Sequence, residues 1–115
     1  MTGKYQELTQ NTSAHLKTLR EGIPDIMQAF GALNKAASSE GVLSEKTKEL
    51  IAYALAVGLR CDDCIGFHAK ALVRLGVTAQ EVRETLSVTI LMGGGPAAMY
   101  AAHAMQAFEE FSAEK

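Results

Sequence analysis

The sequence predicts an all-α fold, a compact bundle of about five to six helices in a single domain spanning residues 1–115, and three observations carry this. Apolar side chains recur at three- and four-residue spacing, and no run alternates convincingly as a strand would. Ala and Leu dominate the apolar set while Trp is absent, which favours helices packed closely through small side chains. Cap and stop residues fall at helical intervals, and no repeat, low-complexity tract or long linker divides the chain.

The first helix is predicted from about Gln6 to Arg20, with Leu8, Leu16 and Leu19 on or near one face and Gly22 ending it. Pro24 suits the first position of a second helix, in which Ile26, Met27, Phe30 and Leu33 follow at helical spacing until Gly41. Ser44 can cap the third. That helix contains Leu50 to Leu59, ten residues without a charge, and its all-round apolarity predicts the buried central helix. A fourth helix is expected from about Asp62 to Leu75, stopped by Gly76. Thr78 and Glu81 fit a capping box for a fifth segment that ends at Gly93-Gly94-Gly95. Pro96 then opens a last helix to about Phe111, where Ala97, Ala98, Ala101, Ala102, Ala104 and Ala107 permit close helix contacts.

A formal charge of −2 and a pI near 5.9 leave no basic face for nucleic acid. The polar N-terminal stretch lacks the apolar segment of a secretory signal, so a cytoplasmic location is expected. Leu86 to Met105 carries no Asp, Glu, Lys or Arg and is long enough to span a bilayer, but the triple glycine and Pro96 break it midway. It therefore reads as two buried helices rather than a membrane span. Two cysteines are too few for a disulfide framework, and a close pair in a cytosolic chain points to redox chemistry or metal.

The informative stretch is Cys61-Asp62-Asp63-Cys64-Ile65-Gly66-Phe67-His68. Its two cysteines and histidine fall at i, i+3 and i+7, within roughly 60° of helical arc. Ile65, Leu72 and Leu75 continue the stripe, so it faces inward. A helix start favours a thiolate, because its unpaired N–H groups and dipole stabilise negative charge. Two cysteines three apart there can close a disulfide with little rearrangement. His68, one turn beyond Cys64, can accept its proton directly or through a water. Asp62 and Asp63 oppose a thiolate unless they turn to solvent as helix caps. The competing readings are small core cysteines with a satisfied core histidine, and a zinc site. A structural zinc needs a fourth ligand, which only Glu49, His103 or His15 offers.

Glu49 opens the apolar run of the third helix on a face shared with Glu45, Ala52, Tyr53 and Ala56. It is either a solvated acid in the first turns or a carboxylate aimed at the cysteine pair to orient His68. His103 reads as a core or interface histidine, His15 as a surface one, and Tyr53 and Tyr100 as packing residues with polar tips. Met92, Met99 and Met105 read as core. The triple glycine follows a helix rather than a strand and lacks the Gly-Lys-Ser/Thr that a phosphate loop needs.

Glu49, the eleven residues after it, and Cys61 to His68 with Ala69-Lys70-Ala71 resemble the core motif of alkylhydroperoxidase D (AhpD)-like proteins of the carboxymuconolactone decarboxylase superfamily. The similarity covers roughly residues 43–111 and includes the glycine break and the Ala-rich last helix. The resemblance implies an all-helical homo-oligomer, a trimer or a hexamer. It implies peroxidase or disulfide-reductase chemistry without metal, haem or other cofactor. Carried over by position, Cys64 is the attacking thiolate, Cys61 the resolving thiol, and His68 with Glu49 a proton relay. It further implies a hydroperoxide substrate and an external dithiol reductant, of lipoyl type or thioredoxin-like. In the best-known branch a His directly precedes the second cysteine; here Asp63 stands there, which should make the thiol less acidic. The rivals are a lactone decarboxylase-like enzyme on the same fold, whose relatives generally lack the CxxC, and a non-catalytic redox-sensing or zinc-binding module.

Overall fold

The computed structural model describes residues 2–114, and every regular element among them is a helix. In chain order these are α1 (Lys4–Gly22), α2 (Pro24–Ser38), α3 (Glu45–Gly58), α4 (Asp62–Arg74) and α5 (Ala79–Ser112). The anticipated caps are in place. Ser44 Oγ accepts from the Thr47 N–H at 3.0 Å. Thr78 and Glu81 close a reciprocal box, with Thr78 N–H donating to Glu81 Oε1 at 2.9 Å and Glu81 N–H to Thr78 Oγ1 at 3.1 Å. After α4, Gly76 adopts φ 76°, and the Gly76 and Val77 amides bond back to Val73 and Leu72. This left-handed closure needs a residue without Cβ strain. The second helix stops at Ser38 rather than Gly41, because Ser39 is already extended.

The fifth and sixth predicted segments run together as α5, which spans 34 residues. Its interior is broken at Gly94, whose φ of 67° and ψ of −146° belong to a region essentially reserved for glycine. Pro96 follows and starts the second half, so the break lies where the sequence placed it.

The core lies between α3, α4 and α5, with Tyr53, Val57, Ile65, Leu72 and Val82 among its fully buried side chains. Ala97, Ala101, Ala104 and Ala107 are buried and let the second half of α5 approach closely. Tyr53 donates its hydroxyl to the Ala104 carbonyl, which satisfies its polar end inside. The N-terminal half of α1 seals one side through Tyr5 and Thr9. It approaches α4 at Gly66, where a Cβ would lie 2.7 Å from Thr9 Cγ2.

Two expectations about burial are corrected, those for α3 and for Met92 and Met99. Helix α3 is not buried all round: Ile51, Leu55 and Leu59 are exposed, because α4 and α5 cover one side only. With Val88, Ile51 and Leu55 line an open apolar groove of about 400 Å³ between α3 and the first half of α5. Met92 and Met99 are exposed rather than core, and Leu19 on α1 is exposed as well. Helix α2 buries nothing and meets only α1 and α3, so Ile26, Phe30 and Leu33 stand 65%, 62% and 63% exposed. No helix among the described residues is long and apolar enough to cross a membrane.

Candidate functional site

The link from α3 to α4 sets the position of Cys61. Arg60 takes a left-handed φ of 58°, and the amides of Arg60 and Cys61 bond back to the Val57 and Ala56 carbonyls at 3.1 and 3.0 Å. This is the closing motif that usually recruits glycine. It ends α3 and delivers Cys61 directly into the N-cap of α4, where its Sγ accepts from the Cys64 N–H at 3.1 Å. The two cysteines form a disulfide across the first turn, with Cα atoms 5.2 Å apart. Both are partly exposed, while Ile65, Gly66 and Ala69 behind them are buried.

One turn further along α4, His68 Nδ1 lies 2.7 Å from Glu49 Oε2 on α3. The carboxylate is 12% exposed and the imidazole 32%. A carboxylate accepts only, so the shared proton sits on Nδ1 and Nε2 is the nitrogen left free to exchange a proton. The solvated alternative for Glu49 is therefore corrected: the side chain turns inward onto His68. Of the four residues singled out from the sequence, Cys61 and Cys64 are joined at the start of α4, and Glu49 of α3 and His68 of α4 are paired one turn further along.

Asp62 and Asp63 neither cap through solvent nor stand free. Asp62 Oδ1 accepts from the Tyr5 hydroxyl at 2.7 Å, and Asp63 Oδ1 from Thr12 Oγ1 at 2.6 Å. Both carboxylates are thus engaged by hydroxyls of α1. Burial first, and then the Asp62 hydrogen bond, push the Tyr5 phenol above its ordinary range. His103 on α5 also reaches this point, with Nδ1 3.5 Å from Asp62 Oδ1 and its ring edge-on to Tyr100. Tyr5, Thr12 and the placement of His103 were missed in the sequence, where their distance along the chain from the CxxC gave no signal. His15 is exposed on α1, as anticipated. Among the described residues no group of three His, Cys, Asp or Glu side chains is placed to hold a metal ion.

Fold and site together define an all-helical protein with a cysteine pair at a helix entrance and, one turn along the same helix, an imidazole paired with a carboxylate from the neighbouring helix. The family model described as the carboxymuconolactone decarboxylase family matches residues 24–107, and the chain belongs to this family. A solved family protein from Legionella pneumophila is 49% identical and superposes with a TM-score of 0.93, over 95% of this chain and 97% of that one. A family protein from Thermotoga maritima, with a suggested part in an antioxidative response, gives a TM-score of 0.71 at 32% identity over 76% of this chain and 91% of that one. An uncharacterised protein from Cupriavidus necator is 44% identical over 95 residues, 83% of this chain and 84% of its own.

Proposed function

We propose that the chain is an AhpD-like thiol peroxidase, a disulfide oxidoreductase that reduces hydroperoxides through Cys61 and Cys64. The observation that carries this is the Cys61–Cys64 disulfide in the first turn of α4 with the Glu49–His68 pair one turn away. The antioxidative response suggested for the Thermotoga maritima protein accords with it.

In the proposed cycle His68 Nε2 takes the Cys64 proton, and the helix start and its dipole favour the thiolate. The thiolate attacks the terminal peroxide oxygen and breaks the O–O bond. Cys64 becomes a sulfenic acid, and the departing alkoxide takes a proton to leave as an alcohol. The Cys61 thiol then attacks that sulfur, forming the disulfide and releasing water. An external dithiol, of lipoyl type or thioredoxin-like, reduces the disulfide through a mixed disulfide and is itself oxidised. Glu49 holds the His68 ring and balances its charge while it carries the proton.

The proposal includes a cytoplasmic location, where a reducing pool keeps such a dithiol cycling. It also includes a homo-oligomer, a trimer or hexamer. Supporting this are the uncovered apolar face of α2 and the groove beside Ile51 and Leu55, more apolar surface than a lone 12.3 kDa chain ordinarily leaves in water.

The test is turnover. Purified protein with excess dihydrolipoamide and tert-butyl hydroperoxide is expected to consume both at equal rates, and Cys64→Ser to abolish consumption. Oxidation without turnover in lipoyl-type or thioredoxin-like dithiols would instead favour a redox sensor. Decarboxylation of a lactone substrate that persists in Cys64→Ser would favour the decarboxylase.

A further inference from the structure

A carboxylate covalently adjacent to a redox cysteine is an obstacle, since its charge opposes the thiolate that the chemistry needs. Asp62 is in that position, the residue after Cys61 and the first of α4. Two other helices converge on it. Tyr5 from α1 donates its hydroxyl to Oδ1 at 2.7 Å. His103 from α5 places Nδ1 3.5 Å from the same oxygen. That Nδ1 is buried and makes no hydrogen bond, so it meets Asp62 as a charge neighbour at ion-pair distance. The ring is held by Tyr100, whose centroid lies 5.0 Å away edge-on.

We propose that His103 is a positioning residue of the dithiol site: with Tyr5 it fixes the Asp62 carboxylate and offsets its charge at the entrance of α4. An imidazole without a hydrogen bond to the carboxylate does this as a cation, when it is protonated. The groups around the pair are Tyr5 and, above its ring, Lys4 from α1; Asp63 on α4; Tyr100 on α5; and Glu110, which receives the Tyr5 and Gln6 amides at 2.7 and 3.1 Å. None of the others supplies a cation or N–H donor to Asp62 Oδ1 among the described contacts. His103 and Asp62 are 38% and 35% exposed, so water screens the pair and the effect is modest.

This deepens the proposed function and rests on Cys61 and Cys64 cycling, but its measurement needs no hydroperoxide, so the two can fail separately. Reduced protein is alkylated with iodoacetamide from pH 5.5 to 9.5, and each cysteine is followed by peptide mass spectrometry. His103→Asn is expected to slow alkylation near neutral pH by about threefold and shift the profile to higher pH, the size of one screened charge within a helical turn. Asp62→Asn is expected to speed it, and His103→Asn added to Asp62→Asn to change nothing further. His103→Gln and the Asp62→Asn single variant carry the same comparison if His103→Asn folds poorly. A His103→Asn profile that overlays the wild type overturns the proposal. So does an equal slowing in the Asp62→Asn background, which would mean that His103 acts through packing.

Discussion

Replacing Glu49 with Gln keeps the size of the side chain and an oxygen that can still accept from His68 Nδ1, but removes the charge. The contact is 2.7 Å, with the carboxylate nearly buried and the imidazole about one-third exposed. A charged hydrogen bond contributes about 1.5–3 kcal/mol and a neutral one about 0.5–1.5. The difference, about 1–1.5 kcal/mol, is reduced by the solvent reaching His68, so about 1 kcal/mol remains. If His68 is charged when peroxide is attacked, this loss falls on the transition state and slows that step about fivefold. The assay is stopped-flow reaction of reduced protein with hydrogen peroxide, varied in concentration to give a second-order rate constant from pH 6 to 9. Glu49→Ala, which also frees the ring, should slow the step further. A Glu49→Gln rate within twofold of wild type at every pH would refute the proton relay and leave Glu49 as a packing residue.

Three further outcomes follow from the fold. Gly66→Ala drives a Cβ to 2.7 Å from Thr9 Cγ2 and is expected to cost about 1–3 kcal/mol in chemical denaturation. Adding Thr9→Ser, which deletes that methyl, should recover most of the loss, and no recovery would place the strain elsewhere. Arg60→Gly relieves a left-handed residue at about 1–2 kcal/mol against a glycine entropy cost of about 0.5–1. A Tm higher by a few degrees in calorimetry is expected, and a lower one would show that the Arg60 side chain stabilises the fold. Burial raises both the Tyr5 and Tyr53 phenols above their unfolded value. The folded state therefore holds these protons more tightly, and the stability this provides is intact below about pH 10 and lost as pH rises beyond it. Tyr53→Phe should flatten that alkaline decline, and an unchanged slope would remove Tyr53 as its source.

Where local chemistry decides, the sequence is readable. Ser44, Thr78 with Glu81, Gly76 and Pro24 each act through their immediate neighbours, and each marks the boundary it was expected to mark. The spacing of Cys61, Cys64 and His68 on one helix was equally visible, whereas the pattern left Glu49 open and the family resemblance assigned it. What stayed hidden depends on distant packing. Arg60 carries no glycine-like signal, yet α4 cannot start at Cys61 unless residue 60 turns left-handed. The direction of Asp62 and Asp63 was left open because nothing near them in sequence says that Tyr5 and Thr12 lie across the helix. Helix α3 reads as apolar on all sides, and composition does not distinguish a face covered by the same chain from one left open, as Ile51 and Leu55 are.

Intact mass after one equivalent of hydroperoxide tests the central claim most directly. Reduced wild-type protein should lose two hydrogens, about 2 Da, together with both free thiols, while Cys64→Ser keeps the Cys61 thiol and its mass. Two free thiols and an unchanged mass in native wild-type protein would contradict the account, and leave Cys61 and Cys64 as inert parts of a helical scaffold.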